Sequence, residues 1–249
     1  MDYSKQEILQ KVNKLMELFH AGSLGGEIMP EDANPALAKD SLENYTYFTL
    51  PMALNYQRNS YALWEGANKT YCDPETHDVF SPFDVTKMNI DVLREKLIKY
   101  KVALQPNKQP VIWQTICISI NDFFAGDIRS LFSCNSYSVL NIKQFVLNNK
   151  QSFPYLSGNK IINYWLYVMQ NYTDLKFVDR ENITIAPDTH VIQASMKLGV
   201  ITFEQSQKSD VQLLVANRWN ELLLNTPYQP IDIHTPLWLW SRNKFSVNV

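Results

Sequence analysis

The chain has 249 residues, with 23 Lys and Arg against 25 Asp and Glu, a formal charge of −2. That length is enough to bury a sizeable core, either as one large domain or as two lobes sharing a cleft, and no apolar run approaches the roughly 20 residues needed to span a bilayer. The near-balanced charge argues against a globally basic nucleic-acid binder, so any such role has to rest on local charge.

The opening residues, Met1-Asp2-Tyr3-Ser4-Lys5-Gln6-Glu7, lack the basic-then-apolar pattern of a secretory signal. Cys72, Cys117 and Cys134 are odd in number and widely spaced, which fits reduced thiols better than a disulfide framework. The expectation is a cytoplasmic, nucleoid-associated or nuclear protein that is not secreted. Neither His190 nor His234 stands at metal-ligand spacing from a second His or Cys, so no metal and no cofactor is implied.

Helical periodicity dominates the chain. Ile8, Val12, Leu15, Met16 and Phe19 share one face of a first helix, which Gly22-Ser23-Leu24-Gly25-Gly26 ends. Residues 27–43, with Pro30 and Pro35, read as a loop or short connecting helix. Further helices are predicted near residues 45–65, 89–101, 109–125, 126–133, 139–147, 159–171, 188–197, 203–206, 208–224 and 230–241. Strand signals are few, and Pro74, Pro82, Pro106 and Pro110 punctuate the first half without a Gly/Ser linker. The predicted fold class is all-α: residues 1–249 as one two-lobed domain, the N- and C-terminal helices forming one lobe and the central helices the other.

Within 86–108, Lys87, Arg94, Lys96, Lys99, Lys101 and Lys108 outnumber Asp91 and Glu95. Such a run reads either as a solvated helix face or as a local basic surface.

The chemistry-bearing segment runs from Phe153 to Leu198. Leu156-Ser157-Gly158-Asn159-Lys160 opens a helix, and Ala186-Pro187-Asp188-Thr189-His190-Val191 begins another, with Asp188 lying 28 residues after Lys160. A lysine at the mouth of a helix can form a Schiff base with a sugar, and an aspartate can stabilise positive charge or shuttle a proton. Taken alone, Lys160 reads as a surface lysine and Asp188 as a helix N-cap. Trp64 and Trp238 lie on apolar helices, where core packing also explains them. His234 reads equally as a satisfied core group or a base-contacting donor.

Phe153-Pro154-Tyr155-Leu156-Ser157-Gly158-Asn159-Lys160 resembles, with one extra residue, the Leu-Pro-Gly-Val-Gly-x-Lys hairpin of the helix-hairpin-helix DNA glycosylases, and the Asp188 segment resembles their Val-Asp-Thr-His-Val stretch. Tyr155 stands where that family has its first glycine. The long lysine-to-aspartate spacing is similar to that of the archaeal 8-oxoguanine glycosylases, whose C-terminal segment Pro230-Ile231-Asp232-Ile233-His234-Thr235-Pro236-Leu237-Trp238-Leu239-Trp240-Ser241-Arg242 also resembles. His234 replaces an aspartate found there.

The stretch 50–71, with Asn55, Tyr56, Arg58 and Trp64, looks like the family's opposite pocket wall. The resemblance thus spans most of residues 45–242. It implies base flipping, Lys160 as Schiff-base nucleophile with lyase activity, and Asp188 as catalytic carboxylate. It further implies Trp64 and Trp238 sandwiching the base, His234 and Asn55 in substrate binding, and Gly158 and Asn159 on the DNA backbone. The implied partner is duplex DNA carrying a modified base, bound by a monomer. An oxidised purine is the first substrate class, and the His234 departure leaves open the modified cytosines of phage DNA, a role in defence. Two alternatives remain: a queuosine-type nucleotide N-glycosidase, favoured by the weak overall basicity, and a catalytically silent nucleic-acid-binding module.

Overall fold

The computed structural model describes residues 4–24 and 29–249. The last two glycines of the expected helix stop, Gly25 and Gly26, lie outside them. Among the described residues every regular element is helical and there is no strand. No helix among them is long and apolar enough to cross a membrane. The chain divides into two compact units, one from Met1–Glu27 with Ile183–Val249 and the other from Ile28–Asn182.

The first unit opens with α1 (Lys5–His20), whose start is fixed by a reciprocal capping box between Ser4 and Glu7. Ile8, Val12, Leu15 and Met16 are buried along it, four of the five positions on the predicted face.

The central unit holds α2 (Leu42–Ala53), α3 (Ser60–Cys72), α4 (Pro82–Lys87), α5 (Ile90–Lys99), α6 (Gln109–Phe124), α7 (Arg129–Cys134), α8 (Val139–Asn148) and α9 (Asn159–Tyr172). Every residue of α2 from Asn44 to Ala53 is buried, so the helix is enclosed on all sides and shows little amphipathic periodicity. The single helix expected over 45–65 is broken. Pro51 removes a backbone donor in the last turn of α2, and Asn59 starts α3 afresh by accepting the Ala62 N–H. The sequence reading missed α4, where Ser81 accepts the Asp84 N–H and Pro82 occupies the first turn. Proline there begins a helix instead of interrupting one.

Several buried polar groups in this core are paired. The Trp165 indole N–H donates to Thr49 Oγ1 at 3.2 Å, and that hydroxyl donates to the Tyr45 carbonyl at 2.7 Å. Gly66 brings α3 against the Tyr100 carbonyl oxygen, where a Cβ would collide with it.

The chain then re-enters the first unit with α10 (Thr189–Leu198), α11 (Phe203–Ser206), α12 (Val211–Leu223) and α13 (His234–Arg242). Helices α10 and α13 pack together, and α12 also packs on α10. Trp219, fully buried, donates its indole N–H to Ser195 Oγ, which in turn donates to the Val191 carbonyl. Residues 230–233 of the helix expected over 230–241 form a 3₁₀ turn, Pro230–Ile233, leading directly into α13.

Candidate functional site

In the central unit, Phe153 and Leu156 are fully buried and anchor the turn before α9. Between them Tyr155 adopts φ +62°, the left-handed conformation that a glycine would take without strain. Gly158 itself has φ −68°, so its requirement is space: an added Cβ would stand 3.1 Å from the Tyr155 carbonyl oxygen, which accepts the Gly158 N–H. Gly158 caps α9 with no side-chain acceptor, and Asn159 and Lys160 form the first turn, Asn159 exposed and Lys160 half-buried. Asn163 braces this turn by donating to the Asn159 carbonyl at 2.7 Å.

The loop between α2 and α3 lies against the hairpin. The rings of Tyr56 and Tyr155 stack with centroids 5.6 Å apart and planes 18° from parallel. Arg58 ties the same loop to the segment after α5, donating to the Val102 carbonyl at 2.6 Å and the Lys101 carbonyl at 2.8 Å. Burial lowers its guanidinium to about 10. Asn55 exchanges hydrogen bonds with Ser60, so its amide braces the entry to α3. Trp64 is fully buried, with Tyr47 and Phe48 5.8 and 5.6 Å from it, so neither face of its indole is open in this conformation.

Most of the basic run in 86–108 is engaged locally. Lys87 lies 3.3 Å over the Phe83 ring, Arg94 pairs with Asp91, Lys96 with Asp78 at 2.5 Å, and Lys99 bridges Asp73 and Glu75 at 2.7 Å each. Lys101 and Lys108 are exposed at the end of the run. Lys108 Nζ sits 5.1 Å from the Tyr155 ring centroid, joining this segment to the hairpin. Residues 54–60, 100–109 and 149–160 contain Arg58, Lys101, Lys108, Lys150 and Lys160 and no Asp or Glu. The contacts through Tyr155 and Arg58 make these three loops one surface.

In the first unit, Asp188 is both a cap and a partner. Its Oδ1 accepts the Val191 N–H at 2.9 Å, and its Oδ2 accepts the Trp238 indole N–H at 3.1 Å. Two donors from α10 and α13 therefore orient one half-buried carboxylate. Arg242 stands 5.1 Å from the Trp238 ring and His190 meets that ring edge-on at 5.6 Å. The Ser241 hydroxyl, which donates to Gln193 at 3.0 Å, is 3.3 Å from His190 Nδ1. His234 is buried in the first turn of α13.

Reading the sequence missed Glu31. It lies in a 3₁₀ turn, Pro30–Asp32, only 1% exposed, with the Tyr164 hydroxyl donating to it at 3.0 Å. Burial raises its carboxyl to about 7, although its own backbone N–H, Tyr164 and Trp64 act to lower it. The Trp64 Nε1 nevertheless meets no partner within hydrogen-bond geometry. A loop glutamate beside a proline carries no sequence signal of such burial.

Neither a family model nor a curated protein matches the chain.

Proposed function

We propose that the chain is a DNA glycosylase that excises a damaged or modified base, an oxidised purine first, with Lys160 as nucleophile and Asp188 as catalytic carboxylate. The observation that carries this reading is the set of three adjoining loops around the hairpin that presents Lys160, whose own charged residues are all basic. Phosphates favour a concentration of cations and exposed backbone N–H groups, and neither requires a basic protein overall.

A stacked base hides its glycosidic bond, so the nucleotide has to be extruded first. Attack of the Lys160 amine on C1′ breaks the C1′–N bond, and the electron pair leaves with the base, which takes up a proton. Ring opening then yields an imine, from which loss of a C2′ proton expels the 3′ phosphate. Positive charge develops at the sugar as the base departs. The Asp188 carboxylate, held by the Val191 and Trp238 N–H groups, is suited to stabilise it without reorganising. The formal charge of −2 favours a second reading, hydrolysis of a free nucleotide, which predicts activity on monomers and no salt-sensitive DNA affinity.

The test is borohydride trapping on duplex and single-stranded oligonucleotides carrying 8-oxoguanine, uracil, an abasic site or modified cytosines. Wild type is compared with Lys160→Ala and Asp188→Asn. Asparagine caps a helix as well as aspartate does, so the second variant removes the charge and keeps the fold. An adduct lost in Lys160→Ala is the expected result. Base release without an adduct removes Lys160 from the chemistry, and absence of both on every substrate overturns the reading.

A further inference from the structure

Tyr56 and Tyr155 are an unusual pair to find outside a core. Tyr56 is 49% exposed, yet its ring is fixed parallel to that of Tyr155. Tyr155 reaches this position from a left-handed backbone that a bulky side chain rarely adopts, and such outliers persist where the surrounding structure holds them. The buried neighbours Phe153 and Leu156 do so here. Gln57, beside Tyr56, is left-handed as well, at φ +49°. Two loops thus hold backbone strain where they present one aromatic step.

The charged residues within the loops that present this step are all cations, while Asp73 meets one of the loops from outside by accepting the Tyr100 hydroxyl at 2.9 Å. Lys108 stands over Tyr155, Lys101 and Lys150 are exposed on the adjoining loops, and the three loops carry no acidic residue. A planar π-face bordered by cations suits a ligand that is itself planar and anionic along its length. A paired base has both faces covered by its neighbours in the duplex, whereas an unpaired base offers one.

We propose that the exposed face of Tyr56, backed by Tyr155, is a stacking site for an unpaired nucleobase of a DNA strand whose phosphates are held by Lys101, Lys108 and Lys150. The site shares no residue with those assigned to chemistry, and it rests on the reading of this surface as DNA-binding. It takes a base that has lost its partner, as the strand opposite an extruded nucleotide has.

Fluorescence anisotropy with labelled oligothymidine, a matched duplex, and the same duplex with one unpaired nucleotide tests this at several salt concentrations. Tyr56→Ala is expected to weaken binding to the two probes with unpaired bases by roughly 5- to 150-fold, the loss of one base–aromatic stack. The matched duplex should be little affected. Tyr56→Phe, which keeps the ring, should bind as wild type does, and thermal melting checks that both variants fold. Lys101→Gln and Lys150→Gln should each lower the salt slope, which Tyr56→Ala leaves unchanged. Salt-dependent binding by wild type with no loss in Tyr56→Ala overturns the stacking site and leaves the DNA surface standing. No salt-dependent binding of any probe by wild type overturns both.

Discussion

Glu31 makes the stability of the central unit depend on pH in a calculable way. Desolvation raises its carboxyl from 4.5 to about 7 in the folded chain. The folded state therefore holds the proton more tightly than the unfolded one. The stability this contributes is complete below about pH 4.5 and is lost as pH rises through about 7. At 1.36 kcal/mol per pH unit the loss amounts to about 3 kcal/mol. Glu31→Gln keeps an oxygen to accept the Tyr164 hydroxyl and has no charge to bury. The variant should match wild type near pH 4.5 and exceed it by about 3 kcal/mol at pH 8. At 2–4 °C per kcal/mol for a chain of this size, that is a Tm gap of roughly 6–12 °C. Thermal denaturation of both proteins across pH 4.5–8, followed by circular dichroism, measures it. Any pH-independent effect of the amide cancels in the change of the gap with pH. A gap that stays constant across this range refutes the burial argument, because Glu31 would then titrate alike in both states.

Two further substitutions probe individual contacts. Trp238→Phe keeps the ring but removes the donor to Asp188 Oδ2, and a hydrogen bond to a charged group is worth about 1.5–3 kcal/mol. Single-turnover base excision should therefore slow by roughly 10- to 100-fold with DNA affinity unchanged, and an unaltered rate would show that the indole does not position the carboxylate. Gly66→Ala forces a Cβ onto the Tyr100 carbonyl. It should destabilise the protein by about 1–3 kcal/mol in urea denaturation despite the better helix propensity of alanine, whereas a stabilised variant would mean the backbones separate readily.

Where amphipathic spacing and a cap coincide, the helices were legible from residues alone. The α1 face and the Asp188 start of α10 are examples. The α2–α3 break was hidden because α2 is buried on every side, which leaves no periodicity to lose at its end. Helix α4 was hidden because Pro82 punctuates a sequence whether it breaks a helix or begins one. At Asp188 the expected cap is present, and the second carboxylate oxygen, which accepts from Trp238, is a tertiary contact that the local sequence does not show. Glu31 was illegible for a different reason. Its burial and its Tyr164 partner are tertiary, and the local sequence shows only an acidic loop after a proline.

Net charge weighed against nucleic acid in the sequence, and the arrangement of charge changes that weight. Asp73, Glu75, Asp78 and Asp91 lie within reach of Lys99, Lys96 and Arg94, so much of the apparent basic run is neutralised where it stands. The cations of the hairpin loops have no acidic residue in their own segments to neutralise them. A polyanion responds to the field at the surface it touches, within about a Debye length of 8–10 Å, and not to the sum over the chain. A formal charge of −2 is thus compatible with an anion-attracting face, and of the lysine-rich run only its exposed end, Lys101 and Lys108, belongs to these loops. The cations of these loops stand at 58, 101, 108, 150 and 160, far apart in sequence, and it is contacts of the fold through Arg58, Lys108, Tyr56 and Tyr155 that join their loops.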